Sequence, residues 1–320
     1  MYKKIYEDDV SLHSKIPKEY SHLKDKKFGE WEIPPWEVYI DSNKLLGEGS
    51  WAKVYLAEWR QTTVVAKVLK NTFDLHAKEL IIKEFENMTK MHHPNIVQLF
   101  GYVEEPFVII MEYFENGDLF QSLNKLKLNQ KIKIANDIIK GLIYIHERRP
   151  NSLIHRDIKP RNILLTNSYS AKIADFGLST FSIGNIIKIA SSNNLTLLEN
   201  QESTYDVKII QNPTEINEYT DNVGTVRYMA PEVKKTHYDN KMDIYSCGIL
   251  LYELFSGCVY LDKFNWKNSN ISYELKDIIL KMISEYPEHR PTASDILHYL
   301  NKIKFNKNNN FLYYFKKNMN

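Results

Sequence analysis

The hydrophobic period of this chain changes once, near residue 118, and that change limits the architectures open to it. From Lys44 to Val68 the pattern is strand, glycine turn, strand, turn, strand, with β-rich runs at Val54-Tyr55-Leu56-Ala57 and Thr63-Val64-Val65-Ala66. Leu75 to Met91 predicts a helix, because Leu80, Ile81, Phe85 and Met88 fall near a three-to-four spacing; Pro94 is expected to end it. Phe107 to Met111 is a continuous apolar run, hence a buried strand. Gly117-Asp118 caps the next helix, and from there helical spacing dominates. Ile134, Ile138, Leu142 and Ile145 mark one face of a helix over Ile132 to His146. Ile244 to Phe255 is apolar nearly all round and predicts a helix at the centre of its lobe. Leu275 to Ile283 and Ala293 to Leu300 read as the last helices. A strand-rich lobe followed by a helix-rich lobe is an α+β architecture.

With 320 residues the chain is long enough for one such two-lobed unit, with little left for another domain. The expected organisation is a polar arm over 1–30 and a principal domain over 31–300. Its strand lobe spans about 40–114 and its helical lobe about 115–300. Trp31, Ile33, Pro34, Pro35 and Trp36 form an extended apolar patch, read as packing onto the strand lobe. An Asn-, Ser- and Thr-rich stretch at about 182–221 reads as a loop insertion. The tail, 301–320, carries Lys302, Lys304, Lys307, Lys316 and Lys317, interleaved with aromatic residues and without an acid. It reads as a frayed solvated tail, with contact to anionic lipid or RNA as the other reading.

A net charge of +2 gives no global field toward nucleic acid, and none is expected as a partner. Two cysteines, Cys247 and Cys258, build no disulfide framework, and a reducing compartment is the natural reading. The first residues lack the apolar core of a secretory signal, and position 2 is not a myristoylatable glycine. No stretch reaches the ~18 apolar residues of a membrane helix. The expectation is an intracellular, cytoplasmic protein.

Chemistry concentrates in His155-Arg156-Asp157-Ile158-Lys159-Pro160-Arg161-Asn162, followed by Asp175-Phe176-Gly177. Asp157 can accept a hydroxyl proton. Asn162 and Asp175 offer oxygen ligands to a hard cation. Phosphoryl transfer from a metal-bound nucleotide demands mainly positioning and charge neutralisation, which these residue types supply. Upstream, the glycines of Gly47-Glu48-Gly49-Ser50-Trp51-Ala52-Lys53-Val54 let a hairpin turn press its N–H groups against phosphate oxygens.

Read as H-R-D-x-x-x-x-N and then D-F-G, these residues resemble the eukaryotic-type protein kinase superfamily, over about Leu45 to Leu300. Trp31-Glu32-Ile33, Trp59, His93-Pro94-Asn95-Ile96-Val97 and Gly224-Thr225-Val226-Arg227-Tyr228-Met229 bring it nearest to the tyrosine-kinase-like group of serine/threonine kinases. The resemblance implies the bilobal kinase fold, ATP, Mg2+ with Mn2+ as the alternative ion, and a protein substrate bearing a serine or threonine acceptor. It implies Asp157 as catalytic base, with Lys159 balancing the γ-phosphate. Lys67 would meet the α- and β-phosphates, held by Glu84 in preference to Glu79 or Glu86, and Asn162 and Asp175 would hold the metal. Leu46 through Val54 would cover the nucleotide, with Val65, Met111, Glu112, Phe114 and Leu164 around its base. Ala52 stands where the family has a third glycine, and Val65 where it usually has alanine. Trp51 at the loop tip has two readings, a cover over the phosphates or an exposed ring.

By the same resemblance Thr225 would bond Asp157 and Lys159, Glu232 would pair with Arg290, and Asp243 would anchor the catalytic loop. Phosphorylation near Thr220 would engage Arg156 and order the insertion; a passive insertion is the alternative. Because Lys67, Asp157, Asn162 and Asp175 are all present, an active enzyme is expected over a catalytically silent scaffold. Ala230-Pro231-Glu232 with Arg290 favours a protein acceptor over a small molecule, and dual activity on tyrosine stays open.

Overall fold

The computed structural model describes residues 16–49, 51–71, 74–181, 226–234, 239–261, 266 and 271–303. Expectations for the beginning of the arm, Ser50, the 182–221 insertion, Thr225 and most of the tail lie outside the described residues.

Strands β1 (Val38–Glu48), β2 (Ala52–Trp59), β3 (Thr62–Leu69), β4 (Leu99–Val103) and β5 (Val108–Glu112) form an antiparallel sheet in the order β1-β2-β3-β5-β4. Side chains alternate across a pleated strand, so register decides which residues face the site. Val54 lies opposite Lys67, and Val65 opposite Met111, on one face. Val64 and Ala66 take the other face and join Ile33, Val38 and Ile110 in a small outer core. The apolar patch ahead of β1 extends this packing. Ile33 N–H donates to the Tyr102 carbonyl at 2.7 Å, Tyr102 N–H donates to the Trp31 carbonyl at 2.9 Å, and the Tyr20 and Phe28 rings lie on Trp36.

Helix α1 (Leu75–Thr89) crosses the sheet; the Asp74 side chain caps it by accepting from Ala77 N–H at 3.0 Å. It stops at Thr89, five residues before the proline expected to end it, because Lys90 leaves helical geometry with φ −92° and ψ 0°. After β5 the chain turns into α2 (Leu119–Ser122), capped by Asp118 as expected, and α3 (Leu128–His146). Helix α3 begins four residues before its apolar period does, since the Gln130 side chain accepts from Lys127 N–H at 2.8 Å and extends the first turn.

Short strands β6 (Leu153–Ile154), β7 (Ile163–Leu165), β8 (Ala171–Ile173) and β9 (Thr180–Phe181) pair as β6 with β9 and β7 with β8. Among the described residues three further α-helices follow, α4 (Lys241–Ser256), α5 (Tyr273–Met282) and α6 (Ala293–Lys302). Helix α4 is buried along most of its length, as its nearly all-round apolar character predicts. At Gly248 a Cβ would fall 2.6 Å from Ile283 and 2.9 Å from Met282, so glycine lets α4 touch the end of α5. The main core is continuous from Leu69 and Ile109 of the sheet, through Ile81 and Met88 of α1, to Ile138 of α3 and Leu250 of α4. Among the described residues no helix is long and apolar enough to cross a membrane.

Candidate active site

The sheet and the helical lobe meet around a cleft of about 840 Å³, a size suited to a nucleotide-sized ligand. Its roof is the β1–β2 turn, where Gly49 N–H donates to the Ala52 carbonyl at 2.9 Å. Leu46, Gly47, Glu48, Gly49, Ala52 and Val54 all line it. Ala52 is buried, so the methyl standing in place of a glycine packs rather than projects. Trp51 lines the roof with its ring edge-on to His76 of α1, 5.8 Å between centroids, so it is not a freely exposed ring.

Lys53 can contribute to this roof through its backbone. The strand pleat turns its side chain away from the cleft that Ala52 and Val54 line, and its ammonium approaches Glu48 at 3.8 Å. Glu48 also takes the Lys70 ammonium at 2.6 Å, and that hydrogen bond holds its carboxyl below the usual range.

At the back of the cleft, β3 delivers Val65 and Lys67 and β5 delivers Met111. Phe114 and Leu164 line the remaining walls. The Glu112 carboxylate is engaged by Lys172 at 2.6 Å, so backbone is what Glu112 can offer a ligand at this edge.

Lys67 Nζ donates to both carboxylate oxygens of Glu84, at 2.6 and 2.8 Å. Glu84 is 3% exposed and sits on the face of α1 that also buries Ile81 and Met88, whereas Glu79 and Glu86 are exposed. The ammonium also reaches Asp175 at 3.4 Å. Burial alone would lower the Lys67 pKa; the two carboxylates outweigh it and push it up. Burial and Asp175 push the Glu84 carboxyl up against the pull of Lys67. The doubled short contact is that of an ammonium with a carboxylate, and we read the pair as ionised at neutral pH. Asp175 is held below its ordinary value, chiefly by Lys67.

The floor is the 155–162 loop. Asp157 receives the Lys159 ammonium at 2.7 Å and the Asn162 amide at 2.8 Å. The same amide donates to the Asp157 carbonyl at 2.8 Å, which leaves Asn162 Oδ1 as the oxygen it can turn to a cation. Hard oxygen donors from one carboxylate and one amide fit Mg2+, which takes few protein ligands and fills its shell with phosphate and water oxygens.

Two residues of this region hold left-handed backbone, Arg156 at φ 72° and Asp175 at φ 65°. For Arg156 the strain is met from α4, because Asp243 accepts from His155 N–H and Arg156 N–H, both at 2.8 Å. The third partner of Asp243 is His146 Nε2 at 2.8 Å, a residue to which the sequence pattern assigned only a place on a helix. Burial would raise the Asp243 pKa, but His146 and the backbone donors hold it below the ordinary carboxylate value. Phe176 is fully buried and packs edge-on to His155 at 4.8 Å. Further out, Glu232 and Arg290 form a doubled salt bridge at 2.5 and 2.8 Å.

Besides the expected positions, the cleft is lined by Leu80 and Ile81 of α1, Asp118 and Gln121 near its mouth, and Leu178 past the Asp-Phe-Gly turn. Leu80 and Ile81 were legible only as core residues, and Gln121 and Leu178 carried no local signal.

The family model "Protein kinase domain" matches residues 40–300. Serine/threonine-protein kinase VIK of Arabidopsis thaliana is 33% identical over 303 residues, covering 86% of this chain and 62% of that protein. Serine/threonine-protein kinase CTR1 of Arabidopsis thaliana is 31% identical over 231 residues, 69% of this chain and 24% of that protein. Dual specificity protein kinase pyk3 of Dictyostelium discoideum is 31% identical over 306 residues, 89% of this chain and 20% of that protein. The chain thus spans from about a fifth to about three fifths of the length of these relatives. With the fold, the cleft and this match over most of its length in agreement, the chain belongs to the protein kinase domain family and resembles its tyrosine-kinase-like serine/threonine members.

Proposed function

We propose that the chain is a serine/threonine protein kinase, transferring the γ-phosphoryl group of ATP to hydroxyls of a protein substrate. The observation that carries this reading is the closed Lys67–Glu84 pair beside Asp175, in one cleft with Asp157 and Lys159. A catalytically silent kinase fold generally lacks one of these charged groups, and Lys67, Asp157 and Asp175 are all present.

Asp157 accepts the proton of the acceptor hydroxyl as the new oxygen–phosphorus bond forms and the bond from the γ-phosphorus to its bridging oxygen breaks. Lys159 offsets charge on the group in transit, and Lys67 holds one positive charge against the phosphates that stay behind. Asn162 and Asp175 would hold Mg2+ or Mn2+, which when bound neutralises charge on the phosphoryl oxygens. Gly47 and Gly49 let backbone N–H groups approach the phosphates, while Val54, Val65, Met111 and Leu164 enclose the base. Lys159 supports a serine or threonine acceptor; the similarity to dual specificity protein kinase pyk3 keeps tyrosine as a second acceptor to be measured.

The test is transfer of label from Mg·[γ-32P]ATP to the chain itself and to a generic basic protein, comparing wild type with Asp157→Asn. Label on serine and threonine, reduced about 100-fold or more in the variant, is the expected result. Label on tyrosine would make the enzyme dual-specific. No transfer by a wild type that still binds nucleotide would replace the enzyme with a binding module.

A further inference from the structure

Helix α1 buries two polar side chains, Glu84 and Asn87. Glu84 serves the nucleotide cleft, but Asn87 does not line it. Asn87 is 4% exposed, and its amide donates to Ser179 Oγ at 2.8 Å. Ser179 is fully buried; its hydroxyl donates to the Phe176 carbonyl at 2.6 Å, and its own N–H reaches the same carbonyl at 3.1 Å. A chain of hydrogen bonds therefore runs from the inner face of α1 to the backbone of the residue next to Asp175, joining positions 92 apart in sequence.

A buried amide or hydroxyl stripped of its partner is costly, so this link favours the arrangement in which it is made. That arrangement is the one in which Glu84 grips Lys67 and Asp175 stands beside them. Swinging α1 outward, or refolding the Asp-Phe-Gly turn, breaks the link together with the ion pairs. We propose that Asn87 and Ser179 are a positioning pair that latches α1 to the turn carrying Asp175, so that the Lys67–Glu84 pair and the placement of Asp175 form together. Neither residue touches a reacting group. Only the kinetic arm of the test rests on the phosphoryl-transfer reading above.

Asn87→Leu keeps the branched shape at a larger volume and deletes the donor, and Ser179→Ala removes the link from its other end. Hydrogen exchange and steady-state kinetics are measured on wild type, both single variants and the double variant. Amides of α1 are expected to exchange about three- to tenfold faster in each single variant, the scale of one buried hydrogen bond, while amides of α4 keep wild-type rates. The value of kcat is expected to fall by up to about tenfold with the KM for ATP moving less than about twofold. The double variant should fall no further than the weaker single, as for two ends of one interaction. Unchanged exchange in α1, additive losses in the double variant, or faster exchange that includes α4 would each overturn the latch. If the wild type transfers no phosphoryl group, the proposed function fails, and the exchange measurements decide the latch by themselves.

Discussion

Lys67 and Arg290 are both cations gripped by two oxygens of one carboxylate, yet they sit in different kinds of environment. Arg290 is 1% exposed, and four of the five N–H groups of its guanidinium are held by its own chain. Besides Glu232 it donates to the Ser284 carbonyl at 2.9 Å and the Lys241 carbonyl at 3.0 Å. Lys67 is shared between Glu84 and Asp175, whose side chain is 48% exposed, and all three line the cleft. The first arrangement is buried out of reach of a ligand. The second holds a charge in place while keeping one side of it open, as a group must that is to meet phosphate. The difference separates a charge that holds the fold from one that the proposed function sets against phosphate.

The largest expected effect falls on the charge that holds the fold. Arg290→Ala leaves Glu232 buried without its cation and should cost about 3–5 kcal/mol in denaturant unfolding. An intact transition midpoint would break the comparison. Next is Lys67→Met, which should lower phosphoryl transfer about 100-fold or more while moving the melting temperature far less than Arg290→Ala does. Equal losses of stability would show that the cleft pair is structural too.

Asp243 belongs with Arg290, being fully buried and held below its ordinary pKa. The stability from its ionised form is fully present above the ordinary aspartate value of about 4 and is lost as pH falls through its lower folded value. Thermal melts from pH 7 down to 3 should therefore show an acid-side loss in the wild type that is shallower in Asp243→Asn. Parallel curves would separate Asp243 from Arg290.

The smallest effect is expected at Tyr228, whose hydroxyl donates to buried Glu253 at 2.6 Å; burial and that carboxylate push its pKa up. Glu253 keeps Tyr260 N–H at 2.9 Å and Arg227 at 3.6 Å. Tyr228→Phe should thus cost only about 1.5 kcal/mol in unfolding free energy.

The architecture was legible wherever one face or one run of residues carries the signal. The apolar face of α3, the nearly all-round apolar run of α4 and the Asp118 cap all gave their elements directly. So did the pairing partner of Lys67, since Glu84 shares a helical face with Ile81 and Met88 while Glu79 and Glu86 do not. Motif spacing brought Asp157, Asn162 and Asp175 into one neighbourhood. What stayed hidden depends on contacts between distant segments. Nothing near His146 marks it as a partner of Asp243, and nothing near Asn87 points to Ser179. A motif read as a continuous string also hides the pleat that sends the Lys53 side chain to the face opposite Ala52 and Val54. The end of α1 was misplaced for a related reason: proline forbids continuation, but Lys90 had already left the helix.

The two N–H groups that Asp243 holds carry an implication for engineering. The backbone of the 155–157 loop has its conformation set from inside a helix nearly ninety residues later. Loop and helix are therefore one cassette. A chimera that imports this loop from a relative without its matching α4 would carry every chemical group and still lack the scaffold that aims them.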